Sequence, residues 1–324
     1  MFSFLSPAPP PSPFEPPSLH HQLLNSPLTF LVRRISALLV SLRGAPFPPP
    51  PSSTLIRLVC ISDTHTHKPT SLPPGDILVH AGDLTNSGTA AEIQEQIDWL
   101  NSLPHKYKVV IAGNHDSYLD PRSRHESDRR ESLDWGRIHY LQHSSLALKF
   151  PDRGNRQVHI YGAPQIPECG GPEFAFQYQR ENDAWSATIP PETDILVTHT
   201  PPRFHLDLPR GMGCRYLLKE VWGVRPKVHV FGHVHAGYGT ENVFWDKGQM
   251  AYERLCEKGG CGLVRNLIGL RIWMDAAQII YHGILGILWA RVWGAESTGT
   301  VMVNAALSYR STGQLGNLPQ VVDM

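Results

Sequence analysis

The segment Gly113-Asn114-His115-Asp116 follows directly on the apolar run KVVIA at 108–112. An amide, an imidazole and a carboxylate therefore stand in a row where a buried strand is expected to end. Burying such groups costs free energy unless each finds a partner, and a metal ion is a partner that all three can bind. The alternative is a surface turn built around the asparagine. A metal site requires further ligands elsewhere in the sequence, whereas a turn does not.

Apolar runs of strand length recur along the chain and alternate with helical stretches. One such stretch is 90–103, which has helical spacing through Ile93, Ile97 and Leu100. Short, continuously apolar runs predict buried strands of an α/β sheet that is covered by helices. The runs are LIRLVCIS (55–62), DILVHAG (76–82), KYKVVIAG (106–113), VHIYGAP (158–164), DILVTH (194–199), KVHVFGH (227–233), TVMVNAAL (300–307) and PQVVDM (319–324).

Residues of metal-ligand type follow five of these runs. The carboxyl edge of an open α/β sheet is where ligands bind, so we expect these residues to converge in space. Each motif alone has a simpler explanation: DTH and GD also occur in solvated turns, and a histidine before two prolines also caps a strand. Together the motifs favour a metal centre. The residues are Asp63 with His65, Asp83, Asn114, His199, and His233 with His235.

The order D-x-H, G-D, G-N-H-D, H and G-H-x-H resembles the signature of the calcineurin-like metallophosphoesterase superfamily. The resemblance covers about residues 56–324 once an insertion is allowed for. The segments RPKVHVFGHVHAGYG (225–239), MGC (212–214) and NLPQVVDM (317–324) are most similar to the small metallophosphoesterase-domain-containing proteins. The resemblance implies an α/β/β/α sandwich with a mostly helical insertion before the last strands.

The resemblance also implies a role for each motif residue. His115 would act as general acid or phosphate ligand, and Asp116 would orient it. Asp83 would bridge two divalent ions. Nitrogen and oxygen ligands without cysteine suit Mn, Fe, Zn or Co better than Ca or Mg. One ion would be held by Asp63, His65, Asp83 and His235, and the other by Asp83, Asn114, His199 and His233.

Such a centre implies a dimetal-dependent hydrolase of phosphodiesters or phosphomonoesters. Two dications about 3.5–4 Å apart neutralise the ester and ionise a bridging water to the attacking hydroxide. The substrate would be a small phosphorylated molecule, with nucleotides among the candidates. Two alternatives stay open: a catalytically silent binding scaffold with the same fold, and a metal-dependent hydrolase of another bond, such as an amide.

Composition restricts the partners and the compartment. The chain carries 29 basic and 29 acidic residues, so its formal net charge is zero, which argues against general nucleic-acid binding. Its five cysteines are odd in number and form no CxxC pair, which favours a reduced, intracellular and cytoplasmic setting over a disulfide framework or a structural zinc site. Cys60 lies within a strand run and is expected to pack in the core.

The first 53 residues differ in composition from the rest. They are rich in proline, which predicts a largely disordered tail with one short amphipathic helix, followed by a phosphoesterase domain over 54–324. No charged region precedes the apolar part, so the tail is not a secretory signal. A mitochondrial transit peptide is an alternative, because the tail is poor in acidic residues.

An apolar insertion is expected at about 237–299. Its segment 263–293 is helical in length and has one narrow polar stripe, formed by Arg271, Asp275, Gln278 and His282. A helix so broadly apolar must be buried or lie against lipid. Its uncharged run 276–290 has 15 residues, fewer than the about 20 that span a bilayer. Contact with a membrane surface, a cover over the domain and a dimer surface, all through 263–293, are therefore the options.

Two loops are candidates for shaping the pocket. The loop 199–214 is rich in proline and glycine, and its Arg203 and Arg210 could meet phosphate oxygens, although surface arginines are the ordinary explanation. The loop 163–176 follows another strand and could act as a lid.

Overall fold

The computed structural model describes residues 15–48, 50–208, 211–258, 262–294 and 298–324. Its strands are short and mostly buried. They are β1 (Arg57–Ile61), β2 (Ile77–Ala81), β3 (Tyr107–Ile111), β4 (Ile138–Tyr140), β5 (Ser144–Phe150), β6 (Arg156–Ala163), β7 (Ile166–Pro167), β8 (Gln177–Tyr178), β9 (Ile195–Thr198), β10 (Val228–Phe231), β11 (Gly239–Phe244), β12 (Gly299–Asn304) and β13 (Gln320–Asp323).

The α-helices lie near the N-terminus, between strands, and in the insertion between β11 and β12. Thr89 caps the third of them, since its side chain accepts a hydrogen bond from the N–H of Glu92. The helices are α1 (Leu19–Asn25), α2 (Pro27–Arg43), α3 (Ala90–Ser102), α4 (Arg215–Val224), α5 (Lys247–Glu257), α6 (Leu263–Ile268) and α7 (Leu270–Arg291).

Two main sheets stack face to face. One has the strand order β13-β1-β2-β3-β4, the other β11-β12-β10-β9-β6-β5, and β7 pairs with β8. Side chains alternate between the two faces of each strand, so Leu58 and Cys60 join the core between the sheets, while Val59 and Ile61 face the other way, towards α3. The outer face of the second sheet packs against Leu217 of α4. The layers are therefore α/β/β/α, as the resemblance implied, and Cys60 lies in the core as predicted.

Parallel pairing brings the strand ends to one edge. In the first sheet, β1 pairs with β2 and β2 with β3, all parallel. In the second sheet, β9 and β10 are also parallel neighbours. The loops that follow these five strands begin at residues 62, 82, 112, 199 and 232, and they carry the predicted ligands.

The strands that the sequence did not predict are mostly edge strands. The apolar runs correspond to β1, β2, β3, β6, β9, β10, β12 and β13, whereas β4, β5 and β11 lie at the outer edges of the two sheets. One face of β5 is open to solvent, so every second residue from Ser145 to Lys149 is exposed and the strand lacks a continuous apolar run.

The N-terminal segment is ordered over residues 19–43, which corrects the expectation of a largely disordered tail there. The inner face of α2 buries Leu28 and Val32 in a cluster with Leu255 of α5 and Ile279 of α7. The side chain of Asn266 accepts the N–H of Leu28 at 2.8 Å. The segment has no core of its own, and the insertion supplies the missing apolar partner. Residues 1–14 lie outside the described part.

The insertion is mostly helical, as predicted, although β11 comes first and Gly269 separates α6 from α7. The predicted polar stripe faces α5 at its centre. Asp275 is buried and pairs with Arg254 at 3.0 Å and with Lys258 at 2.6 Å. These ion pairs fix which side of α7 turns inward.

A buried histidine ties the loop after β9 to the insertion. His205 is fully buried, and its ring lies 3.3 Å from the carboxylate of Glu241 in β11 and 3.4 Å from that of Glu253 in α5. Burial alone would lower the pKa of His205, but the two carboxylates outweigh it and raise the pKa to about 10. The ring is therefore an imidazolium that donates from both nitrogens.

This ion cluster predicts a pH dependence of stability. The pKa of His205 is raised from 6.5 to about 10, so its contribution is complete below pH 6.5 and is lost as pH rises towards 10. His205→Gln should cost about 3–5 kcal/mol at pH 6.5, because two buried carboxylates lose their partner, and the difference from wild type should shrink above pH 9. Urea unfolding between pH 6.5 and 10 measures it.

The neighbouring acid titrates at the lower end of this window. Burial raises the pKa of Asp207 to about 6 and the charge of His205 lowers it, so the comparison with His205→Gln is read from the upper part of the window. His159→Gln is the matched control, since His159 is partly exposed and lies 3.5 Å from Asp194 at the surface. A constant difference between wild type and His205→Gln from pH 6.5 to 10 would contradict the imidazolium assignment.

Candidate metal centre

Five loops from the two sheets bring the predicted residues together. Asp63, Asp83 and Asn114 follow strands of the first sheet, whereas His199 and His233 follow strands of the second. Both carboxylates are buried, with Asp63 0% and Asp83 2% exposed. The site therefore lies where the carboxyl edges of the two stacked sheets meet.

The ligand atoms of these residues are close enough to hold metal. Within the described chain, three overlapping groups have their ligand atoms within 4.8 Å of one another. Asp83 belongs to two of them, and its Oδ2 lies 3.8 Å from His65 Nε2 and 3.4 Å from His199 Nε2. The oxygen of Asn114 lies 3.0 Å from His199 Nε2. The groups are Asp63–His65–His235, His65–Asp83–His115 and Asp83–His199–His233.

The electrostatics of the cluster favour a positively charged occupant. Burial would raise the pKa of Asp83, but His199 and the other imidazoles hold it well below its ordinary value. In turn, burial would lower the pKa of His199, yet the carboxylates of Asp83 and Asp63 raise it to about 9. The carboxylate of Asp63 likewise outweighs burial at His235 and raises its pKa to about 9. The cluster thus retains protons to balance its carboxylates, and its oxygen and nitrogen donors fit divalent cations.

The backbone is strained at four of the seven predicted ligands. Asp63, His65, Asp83 and His233 have φ values of 52°, 46°, 54° and 64°, in the left-handed region. Such conformations cost of order 1–3 kcal/mol each and cluster at functional sites. Hydrogen bonds hold them in place, such as the one from the N–H of His233 to Oδ1 of Asp63 at 3.1 Å.

The glycines of two motifs make room for ligands of other strands. A Cβ atom on Gly113 would collide with the carboxylate of Asp83, and one on Gly232 would collide with that of Asp63. Each glycine therefore lets a carboxylate from a neighbouring loop lie against the backbone. This contact explains why glycine precedes Asn114 in one motif and His233 in the other.

Gly113→Ala should therefore disrupt the site. The added methyl group must displace the Asp83 side chain and its backbone N–H, so we expect at least one metal equivalent to be lost and stability to fall by about 1–3 kcal/mol. Gly223→Ala is the matched control: no heavy atom lies within 4 Å of the new Cβ, and alanine favours the helix α4. Metal analysis and thermal unfolding of both variants measure the effect; wild-type metal content in Gly113→Ala would contradict it.

His115 stands at the open side of the cluster. Its Nδ1 lies 2.9 Å from the carbonyl oxygen of Asn86. A carbonyl only accepts, so Nδ1 carries a proton and Nε2 is left for a substrate. The ring contacts those of His65 and Phe174, each with a centroid separation of 4.9 Å. Phe174 belongs to the loop 163–176, so this loop borders the site.

The role expected of Asp116 is corrected. Its buried carboxylate accepts the N–H groups of Gly113 at 2.8 Å, Leu84 at 3.2 Å and Thr85 at 3.1 Å, and the Thr85 hydroxyl at 2.8 Å. Among the described residues, its hydrogen bonds do not include the ring of His115, which the Asn86 carbonyl orients instead. Asp116 joins the loops after β2 and β3. Burial and the nearby Asp83 raise its pKa to about 6.

Several supporting residues were not predicted from the sequence. The side chain of Asn304, at the end of β12, donates to the carbonyl of Val234 at 2.9 Å and so positions the loop of His233 and His235. His80 and His229 are buried inside strands, and burial lowers the pKa of each to about 3. Each of these histidines interrupts an apolar run in the sequence, and this interruption could have indicated a buried histidine.

A cavity of about 300 Å³ opens beside the cluster. It is lined by His65, Asn86, His233, His235 and Arg310, among others. Arg310 also binds His235, since its carbonyl lies 2.8 Å from His235 Nδ1.

Neither arginine of the loop 199–214 lines this cavity within the described part of the chain. Arg203 lies instead beside Arg215 in a separate cavity of about 190 Å³. Arg210 lies outside the described residues.

Comparisons with known proteins agree with this geometry. The family model of the calcineurin-like phosphoesterases matches residues 56–237, more than half of the chain. Metallophosphoesterase domain-containing protein 1 of Homo sapiens is 37% identical over 213 residues, which cover 60% of this chain and 64% of that protein. A UPF0046 protein of Caenorhabditis elegans is 35% identical over 206 residues, covering 60% and 68%. These matches confirm the subgroup resemblance.

A further relative is much longer than this chain. The probable rhamnogalacturonate lyase C of Emericella nidulans is 44% identical over 259 residues, which are 79% of this chain but 23% of that protein. The chain thus spans about a quarter of that relative and about two thirds of the other two. The family match covers all five ligand-bearing loops. The chain belongs to the calcineurin-like phosphoesterase family.

Proposed function

We propose that this protein is a dimetal-dependent hydrolase of small phosphate esters. The observation that carries the proposal is the convergence of seven residues from five loops, with Asp83 Oδ2 3.8 Å from His65 Nε2 on one side and 3.4 Å from His199 Nε2 on the other. The seven are Asp63, His65, Asp83, Asn114, His199, His233 and His235. Burying the carboxylates of Asp63 and Asp83 has a high desolvation cost, which two bound divalent cations would offset.

The ligands divide into two sets around Asp83. Asp63, His65 and His235 would hold one ion with Asp83, while Asn114, His199 and His233 would hold the other. The two ions, when bound, neutralise the ester charge and lower the pKa of water to about 7. Mn, Fe, Zn and Co are the metals that suit this donor set.

In this proposal a second proton, carried on Nε2 of His115, passes to the leaving-group oxygen as the P–O bond breaks, while the Nδ1 proton stays with the Asn86 carbonyl. The Asn86 carbonyl holds Nδ1, and the rings of His65 and Phe174 restrict the rotation of the imidazole. Asp116 keeps the backbone of this loop in place and does not touch the reacting atoms. The backbone N–H of His115 donates to Asp83 Oδ1 at 2.8 Å. This hydrogen bond fixes the position of His115 relative to the carboxylate that would bridge the two ions.

The cavity beside the cluster favours a small substrate. Its about 300 Å³ lies at the lower end of the about 300–1,000 Å³ usual for ligand pockets. Arg310 provides a positive charge at its rim for a second anionic group. We therefore include nucleotides among the substrates, with the choice between monoester and diester left to experiment.

A binding scaffold without turnover is the second candidate. Scaffolds of this kind usually lack a ligand or the acid, whereas the full ligand set and His115 are present and close together here. Hydrolysis of another bond, such as an amide, finds no support in the geometry beyond the metal ligands themselves.

Turnover of two test esters separates these functions. With Mn²⁺ added, the protein should hydrolyse bis-p-nitrophenyl phosphate, p-nitrophenyl phosphate or both, and a chelator should abolish the activity. The ratio of the two rates gives the diester preference. Two bound metal equivalents without turnover of either ester, for Mn, Fe, Zn and Co in turn, would establish the scaffold instead.

A further inference from the structure

The N-terminal helices and the helices of the insertion carry an unusual amount of exposed apolar surface. In the described chain, 23 large hydrophobic residues are exposed, and 20 of these lie within residues 19–42 and 250–293. We call the exposed side chains of these two segments the helical face. Single exposed apolar residues are ordinary, but a concentration of this kind marks a surface that binds something.

Helix α7 is apolar on two sides. One side, with Ile272, Ala276 and Ile279, is buried against α2 and α5. The opposite side repeats exposed apolar residues at helical spacing, through Leu270, Trp273, Met274, Tyr281, Ile284, Leu285 and Leu288. A helix at the surface of a water-soluble domain carries polar residues on that side. The outer side of α7 is therefore suited to an apolar environment.

The charges of the helical face are almost all positive. Arg34, Arg265 and Arg271 are exposed, and neither Arg265 nor Arg271 has an ion-pair partner in the described part of the chain. Among the acidic residues of 250–293, Asp275 is buried and paired with Arg254 and Lys258, and Glu253 lies against His205. Glu257 is exposed, 3.9 Å from Arg203. Residues 16–48 contain no acidic residue. A partner for this surface must therefore be both apolar and anionic.

Exposed aromatic residues on the helical face indicate which kind of apolar and anionic partner it binds. Trp273 is 51% exposed, Tyr281 64%, Trp289 53% and Trp293 60%. Tryptophan and tyrosine concentrate at the boundary between lipid and water, where one end of the ring is apolar and the other is hydrated. Apolar ridges, arginines and boundary aromatics together are the composition of helices that lie in a membrane surface.

We propose that the helical face binds the surface of a bilayer that contains anionic phospholipids. The outer side of α7 would enter the headgroup region, and Arg265 and Arg271 would contact lipid phosphates. The geometry is that of a helix lying in the plane. None of the described helices is long and apolar enough to cross a membrane by itself, although α1 and α2 together meet the length and composition criteria across a bend of 120°.

A second copy of the chain is a less suitable occupant. A twofold interface brings the same surface of both copies together. Arg265 and Arg271 would then approach the arginines of the other copy. The exposed carboxylate that 250–293 offers in the described chain, Glu257, already lies 3.9 Å from Arg203. Lipid phosphate supplies the missing negative charge.

Flotation of the full chain with vesicles tests the proposal. The protein should float with vesicles of phosphatidylcholine mixed with phosphatidylserine, bind weakly to phosphatidylcholine alone, and dissociate as salt is added. Each arginine near a membrane contributes about five-fold to the partition coefficient, so Arg265→Gln with Arg271→Gln should lower it roughly 25-fold. Trp289→Gln with Trp293→Gln should lower it on both kinds of vesicle.

Leu318→Gln is the matched control, because Leu318 is 75% exposed but lies outside the helical face. All variants should keep the wild-type melting temperature and hydrolysis of a test ester. Wild-type protein that fails to float with the mixed vesicles, or variants that float as well as wild type, would overturn the proposal. Sedimentation of wild type as a dimer without lipid, reverting to monomer in the tryptophan variant, would assign the face to a second copy instead.

Discussion

Replacing His115 with alanine should lower kcat on an ester with a poor leaving group by about 10²–10⁴-fold, the usual worth of a positioned acid. The metal content should stay near that of wild type. The physical reason is that the ring is held through Nδ1 by the Asn86 carbonyl, and its Nε2 is left for the leaving group. The loss should shrink for p-nitrophenyl esters, whose leaving group needs little protonation.

Asn114→Ala is the matched control for this result. Its side-chain oxygen lies 3.0 Å from His199 Nε2, inside the ligand cluster, so its loss should reduce metal binding first. Metal analysis combined with steady-state rates on a series of leaving groups distinguishes the two variants. Equal rates for wild type and His115→Ala on a poor leaving group, at full metal occupancy, would remove His115 from the mechanism.

Asp83→Asn should reduce the bound metal from two equivalents to one or fewer. The substitution removes the negative charge that two ligand groups share, and an amide in its place cannot bridge two dications with the same strength. Loss of a residue that only hydrogen-bonds a metal ligand typically lowers activity by about 10–100-fold. Because Asp83 would itself bind metal, activity should fall by more than this. Metal analysis of the purified variant gives the stoichiometry.

Asp194→Asn controls for the same chemical change at another strand. Asp194 precedes β9, at the opposite end from His199, and pairs with Lys227 at 2.9 Å. This variant should keep both metals and its activity. Two full equivalents in Asp83→Asn would refute the shared-ligand assignment, whereas metal loss in both variants would show that the substitution acts through stability.

Much of the fold and of the ligand set could be predicted because their causes are local. A strand buried on both faces needs a continuous apolar run, so β1, β2, β3, β9 and β10 are visible in the sequence. The predicted ligands stand directly after these runs, and their side-chain chemistry is part of their identity. Parallel strands end at one edge, which is reason to expect that ligands following strands of the same sheet meet. That the edges of two separate sheets meet was decided by the tertiary structure.

Features that depend on contacts between distant segments were decided only by the tertiary structure. The helix α2 is ordered because Leu28 and Val32 meet residues of α5 and α7 that lie more than 200 positions away. His205 is an imidazolium because Glu241 and Glu253 come from the insertion. No local sequence pattern predicts such contacts between distant segments. Each contacting segment, taken alone, has the composition of a disordered tail or of a solvent-exposed surface.

The hydrogen-bond acceptor of the His115 ring is another feature that could not be predicted from the sequence. The sequence by itself determined that an imidazole stands beside the ligands, and the family resemblance suggested the adjacent Asp116 as the group that orients the ring. The structure uses the backbone carbonyl of Asn86 and leaves Asp116 to hold the loops. Every residue carries a carbonyl, so its use as an acceptor leaves no trace in residue type. Only the path of the chain decides which carbonyl reaches the ring.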